Sequence, residues 1–169
     1  MSSGPLQRLD AVAKALVPSL LAVLLVVVSV VPLRSPEVAP VVPALSLTAI
    51  YYWAVFRPDL LPIWLAFLLG LLQDLLTAGP LGVGVLAAVA IHVSVSSQRR
   101  VFVNASFLML WVVFALFAAA ALSLAWLAGS LLAGSLGDPR LLLLEYALTV
   151  GAYPCLAWLF GRAQQVLLN

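Results

Sequence analysis

Two residues of this chain have the chemical type to carry a proton through an apolar segment, Asp74 and His92. Asp74 lies near the end of a Leu-rich run, and a carboxylate at membrane depth costs roughly 2.5 to 3.5 kcal/mol on insertion scales, so it must face protein and find a partner there. Its two readings are a polar contact that locks two helices together and a proton or ion site. A carrier needs several ionisable groups along a path, and this chain offers few, which favours the structural contact. His92 divides the same way, between a titrating group and a hydrogen-bonding residue that joins helices. The rest of the inventory excludes most chemistry. A lone His and a lone Cys, Cys155, leave no metal cluster and no internal disulfide. There is no G-x-S-x-G elbow and no H-E-x-x-H. Gly82-Val83-Gly84 lacks the preceding strand of a dinucleotide fingerprint. The sequence argues against an enzyme and calls for no cofactor.

The elements that must position these residues follow from composition. Of 169 residues, 65% are hydrophobic and 8% charged, with mean hydropathy +1.20, values for a polytopic membrane protein and not a soluble core. A net charge of +2 is too small to imply nucleic-acid binding. The periodicity predicts an all-α membrane bundle of six transmembrane helices in one integral membrane domain over residues 1–169. The spans run at about 15–33, 41–56, 60–77, 81–97, 107–132 and 141–160. The first run is long and no soluble domain follows it, so it reads as a retained helix and not as a signal peptide. Pro32, Pro36, Pro40 and Pro43 mark an extended external loop.

Tyr51, Tyr52 and Trp53 at the end of the second span suit a membrane interface. Pro58 and Asp59 suit the first turn of the third helix. On that helix Ala66, Gly70, Gln73, Asp74 and Thr77 share one face; on the fourth, Gly84, Ala88, His92 and Ser96 are spaced by four. The connection through Gly79 and Pro80 is short, so the two helices are antiparallel neighbours with these stripes in contact. Asp74 is then expected to pair with Arg140, or to accept hydrogen bonds from the Gly79 to Gly82 turn. A Leu at Gly82 is expected to hold the helices apart. Phe102 to Ser106 are expected to lie along the surface, and Glu145, near the start of the sixth helix, is favoured by the dipole there.

Orientation follows from the basic residues. With the N-terminus inside, Arg8, Lys14, Arg57, Arg99, Arg100 and Arg162 are cytoplasmic, against Arg34 and Arg140 outside, and the C-terminus is also inside. Trp53, Trp64, Trp111 and Trp158 then fall near the inner interface.

Arg57-Pro58, the run Leu69-Gly70-Leu71-Leu72-Gln73-Asp74-Leu75-Leu76, and Gly79-Pro80-Leu81-Gly82, in the middle of a small six-span chain, resemble the rod shape-determining protein MreD family. In that family an Arg-Pro enters a helix ending G-L-L-x-D-L, and L-G opens the next. The resemblance implies a non-catalytic scaffold of the bacterial inner membrane. Its partners would be an MreC-like single-span protein, a RodA-type glycosyltransferase, a class B penicillin-binding protein and the MreB filament. For Gly70, Asp74 and Gly82 it implies a packing or partner surface. The family is also similar in fold to the substrate-binding subunits of energy-coupling-factor transporters, which implies a second possibility, a vitamin-type binding subunit with a pocket opening outward near Asp74. The fifth helix, with Phe107, Trp111, Phe114, Phe117 and Ala118 to Ala121, could face either a partner helix or lipid.

Overall fold

The computed structural model describes residues 20–28, 44–77 and 80–168, and these are helices and the turns between them, with no strand. Residues 20–28 form α1. The others are α2 (Leu45–Phe56), α3 (Ile63–Thr77), α4 (Val83–Ser97), the short α5 (Arg99–Val103), α6 (Phe107–Ala133) and α7 (Pro139–Leu168). The ends of the expected first span, the proline-rich loop and Gly79 lie outside the described residues.

The core is built around α2. Ten of its 12 residues are buried, from Ser46 to Val55, and it touches α3, α4, α5, α6 and α7. A helix apolar on every side can be satisfied by burial on every side, and α2 carries no charge at all. This corrects the interfacial reading of Tyr51, Tyr52 and Trp53, which are 0%, 5% and 1% exposed. Tyr51 meets Phe114 and Tyr153 at ring separations of 5.4 and 5.9 Å, and its hydroxyl donates to the Leu110 carbonyl at 3.0 Å. Tyr52, Trp53 and Phe160 form a second aromatic group toward the end of the same helix. Such pairs contribute about 0.5–1.5 kcal/mol each beyond simple burial, which matters where lipid removes the usual hydrophobic drive.

Polar side chains tie α2 to its neighbours. The backbone N–H of Ala44, just before the helix, donates to the Thr149 hydroxyl on α7 at 3.0 Å, and the Ser46 hydroxyl donates to Gln73 Oε1 on α3. At the other end Arg57 N–H closes on the Trp53 carbonyl at 2.8 Å, and Leu60 N–H on Arg57 at 3.0 Å. The chain therefore turns through Arg57–Leu61 before α3 begins. Pro62, not Pro58, stands at the head of α3, its carbonyl accepting from Leu65 and Ala66. Pro58 and Asp59 belong to the turn, which corrects their placement in the helix's first turn.

Helix lengths differ from the expected spans. α6 and α7 are long and apolar enough to cross a membrane, whereas α2, α3 and α4 are apolar but of 12, 15 and 15 residues. At 1.5 Å per residue these three are about 18 to 22 Å long. α7 is longer than expected, the residues after Phe160 continuing it and not forming a tail. Its start moves back to Pro139, so Glu145 sits well inside the helix and not in the first turn, where the dipole would favour it. Phe102 in α5 is buried while Asn104 and Ser106 are exposed, so this segment runs over the surface with one aromatic anchor.

Candidate functional site

The α3–α4 hairpin holds the polar residues that the sequence singled out. Gly70 lets the two backbones meet: a Cβ there would stand 2.7 Å from Val85 Cα and 2.8 Å from the Gly84 carbonyl oxygen. Gly84 does the same from the other side, since a Cβ on it would fall onto Asp74 Oδ1 and 3.3 Å from the Gly70 carbonyl oxygen. Ala66 and Ala88, both fully buried, continue the close contact along the two helices.

Asp74 is 5% exposed, and its carboxylate is engaged by backbone. Oδ2 accepts from the N–H of Gly82 at 2.8 Å and of Val85 at 3.3 Å; Oδ1 accepts from the N–H of Gly84 at 2.9 Å. These amides belong to the first turn of α4 and the residue before it, the groups that a helix start leaves without intrahelical partners. A carboxylate there also meets the positive end of the helix dipole. Asp74 thus caps α4 from the helix that precedes it. Of the turn expected to donate, Gly82 does so, while the other two donors, Gly84 and Val85, lie beyond it in α4; the pairing with Arg140 does not form, and Arg140 is exposed at the start of α7.

Gly82 has a different part from the expected one. Its φ of +97° is left-handed, which an L side chain rarely adopts, but a Cβ on it meets nothing within 4 Å. It shapes the turn, and the close approach depends on Gly70 and Gly84. Pro80 precedes this turn, its carbonyl accepting from Val83 N–H at 3.3 Å.

At the far end of the hairpin, His92 is buried and its Nε2 lies 2.7 Å from the Leu61 carbonyl oxygen. A carbonyl only accepts, so Nε2 carries the hydrogen. Leu61 closes the turn that begins Arg57-Pro58, and it is 0% exposed. His92 therefore joins α4 to the Arg57–Leu61 turn. Gln73 departs from its stripe to accept the Ser46 hydroxyl on α2. Glu145 is half-buried on α7, away from the hairpin, and its carbonyl accepts the Thr149 hydroxyl at 2.7 Å. Asp74, His92 and Glu145 do not converge on one site.

A sequence model of the rod shape-determining protein MreD family matches residues 10–166. The chain belongs to the MreD family. No curated protein and no solved structure matches it. The match covers nearly the whole chain and includes the central hairpin. A role in rod shape determination follows from membership in the MreD family, which is a family of membrane proteins.

Sequence reasoning missed two connections. Trp111 Nε1 on α6 donates to the Val150 carbonyl on α7 at 3.0 Å, and Ser46 reaches Gln73. For the first there is a signal: Pro154 lies inside α7 and removes the amide that would have bonded residue 150.

Proposed function

We propose that the chain is a non-catalytic, multi-pass scaffold of the bacterial inner membrane in the cell-wall elongation complex. In this reading it crosses the membrane six times with both termini inside. It binds an MreC-like single-span protein and links it to a RodA-type glycosyltransferase, a class B penicillin-binding protein and the MreB filament.

The observation that carries this reading is the state of Asp74. Its oxygens accept three backbone N–H groups, so the carboxylate in the apolar part of the chain holds a hairpin together and is not presented to a substrate. His92 Nε2 is likewise engaged by the Leu61 carbonyl, while its Nδ1 is buried without a partner. In contrast, α6 and α7 leave large apolar side chains outward, among them Leu116 and Leu131 of α6 and Leu143 of α7 at 66%, 82% and 65% exposure. A packed centre with outward helix faces suits assembly. The vitamin-binding alternative needs a cavity beside Asp74; the cleft of about 400 Å³ among the described residues is walled by Tyr52 and Phe56 of α2, Phe107 of α6 and Trp158 of α7.

Co-purification with an MreC-like protein in mild detergent tests the proposal. Recovery of a stoichiometric complex supports it. A bound vitamin or a co-purifying ATPase module in place of that partner would count against it.

A further inference from the structure

The cleft between α2, α6 and α7 is apolar and aromatic, with Tyr52, Phe56, Phe107, Tyr153, Pro154 and Trp158 among its walls, and at about 400 Å³ it is in the range of small-ligand sites. Its walls alone do not say what fills it. The basic residues beside it do. Arg99 is half-buried, and its Nη2 donates to the carbonyl of Phe56, a wall residue, at 3.3 Å. Its Nε is buried with no hydrogen-bond partner. Arg162 lies over the ring of Trp158, another wall residue, at 5.4 Å from its centroid. Among the described residues neither guanidinium meets a carboxylate, and Trp158 itself is 65% exposed.

An aromatic cleft between helices, with two cations that lack carboxylate partners placed against its wall residues Phe56 and Trp158, is complementary to an amphiphile with an apolar tail and an anionic head. We propose that this cleft seats an acyl chain of an anionic phospholipid, with the headgroup phosphate held by Arg99 and Arg162. The tail lies against Phe107, Tyr153 and Pro154, and the head takes the place of water at the exposed guanidinium of Arg162 and at the outward N–H groups of Arg99, whose Nε is buried. The proposal uses the chain's place in a membrane and is independent of which protein it scaffolds.

The test uses the purified full-length chain in mild detergent, with phosphatidylglycerol and phosphatidylcholine of identical acyl chains. Phosphatidylglycerol is expected to raise the unfolding temperature by on the order of 5 °C at saturation, and phosphatidylcholine by clearly less. Native mass spectrometry of the wild type is expected to retain phosphatidylglycerol selectively. The double variant Arg99→Gln, Arg162→Gln is expected to bind it on the order of tenfold more weakly. Ala157→Trp, which fills the cleft and keeps both cations, is expected to lose retention as well. Equal effects of the two lipids, or a preference that survives in the double variant, overturns the proposal. So does an equal shift from inorganic phosphate alone, or a second protein chain that occupies the cleft and excludes lipid. The wild-type comparison of headgroups remains decisive if a variant does not fold.

Discussion

Trp111 and Val150 are joined across α6 and α7 by a hydrogen bond of 3.0 Å, indole N–H to carbonyl, and Val150 stands four residues before Pro154. A proline inside a helix has no amide to give to the carbonyl one turn back. The neighbouring helix supplies the missing donor, which is how a membrane helix tolerates such a break. The aromatic group around Tyr51, Phe114 and Tyr153, whose last two rings stack at 4.7 Å, surrounds this junction.

Trp111→Phe keeps most of the packing and removes the donor. It is expected to destabilise the protein by about 1 kcal/mol. Pro154→Ala should restore an intrahelical amide for Val150, so the Trp111→Phe loss is expected to shrink in a Pro154→Ala background. A double-mutant cycle from thermal unfolding in detergent measures this, and additive losses would contradict the connection.

His92 offers a simpler exchange. Its Nε2 gives one hydrogen bond to the Leu61 carbonyl, and that bond fixes the Arg57–Leu61 turn against α4. Replacement by Leu is expected to cost about 1–2 kcal/mol by leaving a buried carbonyl unpartnered, and Gln, which also carries a side-chain N–H donor, to recover part of it. Unfolding midpoints of the three proteins should fall in the order His, Gln, Leu.

Asp74 accepts three amides at the start of α4, and Ala there leaves them without an acceptor. The expected loss is about 2–3 kcal/mol. Asn keeps one acceptor oxygen and is expected to lie between Ala and wild type. Arg140→Ala, at an exposed position, is expected to leave stability unchanged. Under the proposed scaffold role, the yield of a complex with an MreC-like protein and the unfolding temperature are expected to fall together across the series as the hairpin loosens.

The hairpin was legible in the sequence because its signals are local and costly. A carboxylate in an apolar run demands a partner, and glycines spaced to face it allow one. The central position of α2 was not. In a soluble protein an all-apolar helix announces burial, but here nearly every helix is apolar, and a lipid-facing surface and a core are written with the same residues. Tyr51, Tyr52 and Trp53 fit an interface by type and a core by position, and nothing in their own segment separates the two. Trp111 and Val150 are 39 residues apart, so Pro154 signals that a donor is needed without saying which residue gives it.

Gly70 and Gly82 separate close approach from backbone shape. Gly70→Ala places a methyl carbon 2.7 Å from Val85 Cα, where only a shift of α4 can relieve it. Gly82→Ala meets no atom within 4 Å and suffers only from its φ of +97°, at about 1–2 kcal/mol. Gly70→Ala is expected to cost at least as much, and it has a second consequence. Moving α4 away also moves the Gly82, Gly84 and Val85 amides from the Asp74 carboxylate, so Asp74→Ala is expected to cost less in a Gly70→Ala protein than in the wild type. Gly82→Ala leaves the helices in contact and the Asp74→Ala cost closer to its full value. Unfolding temperatures of the two double variants against their singles measure the difference, and equal coupling in both would remove Gly70 from its place as the point of closest approach.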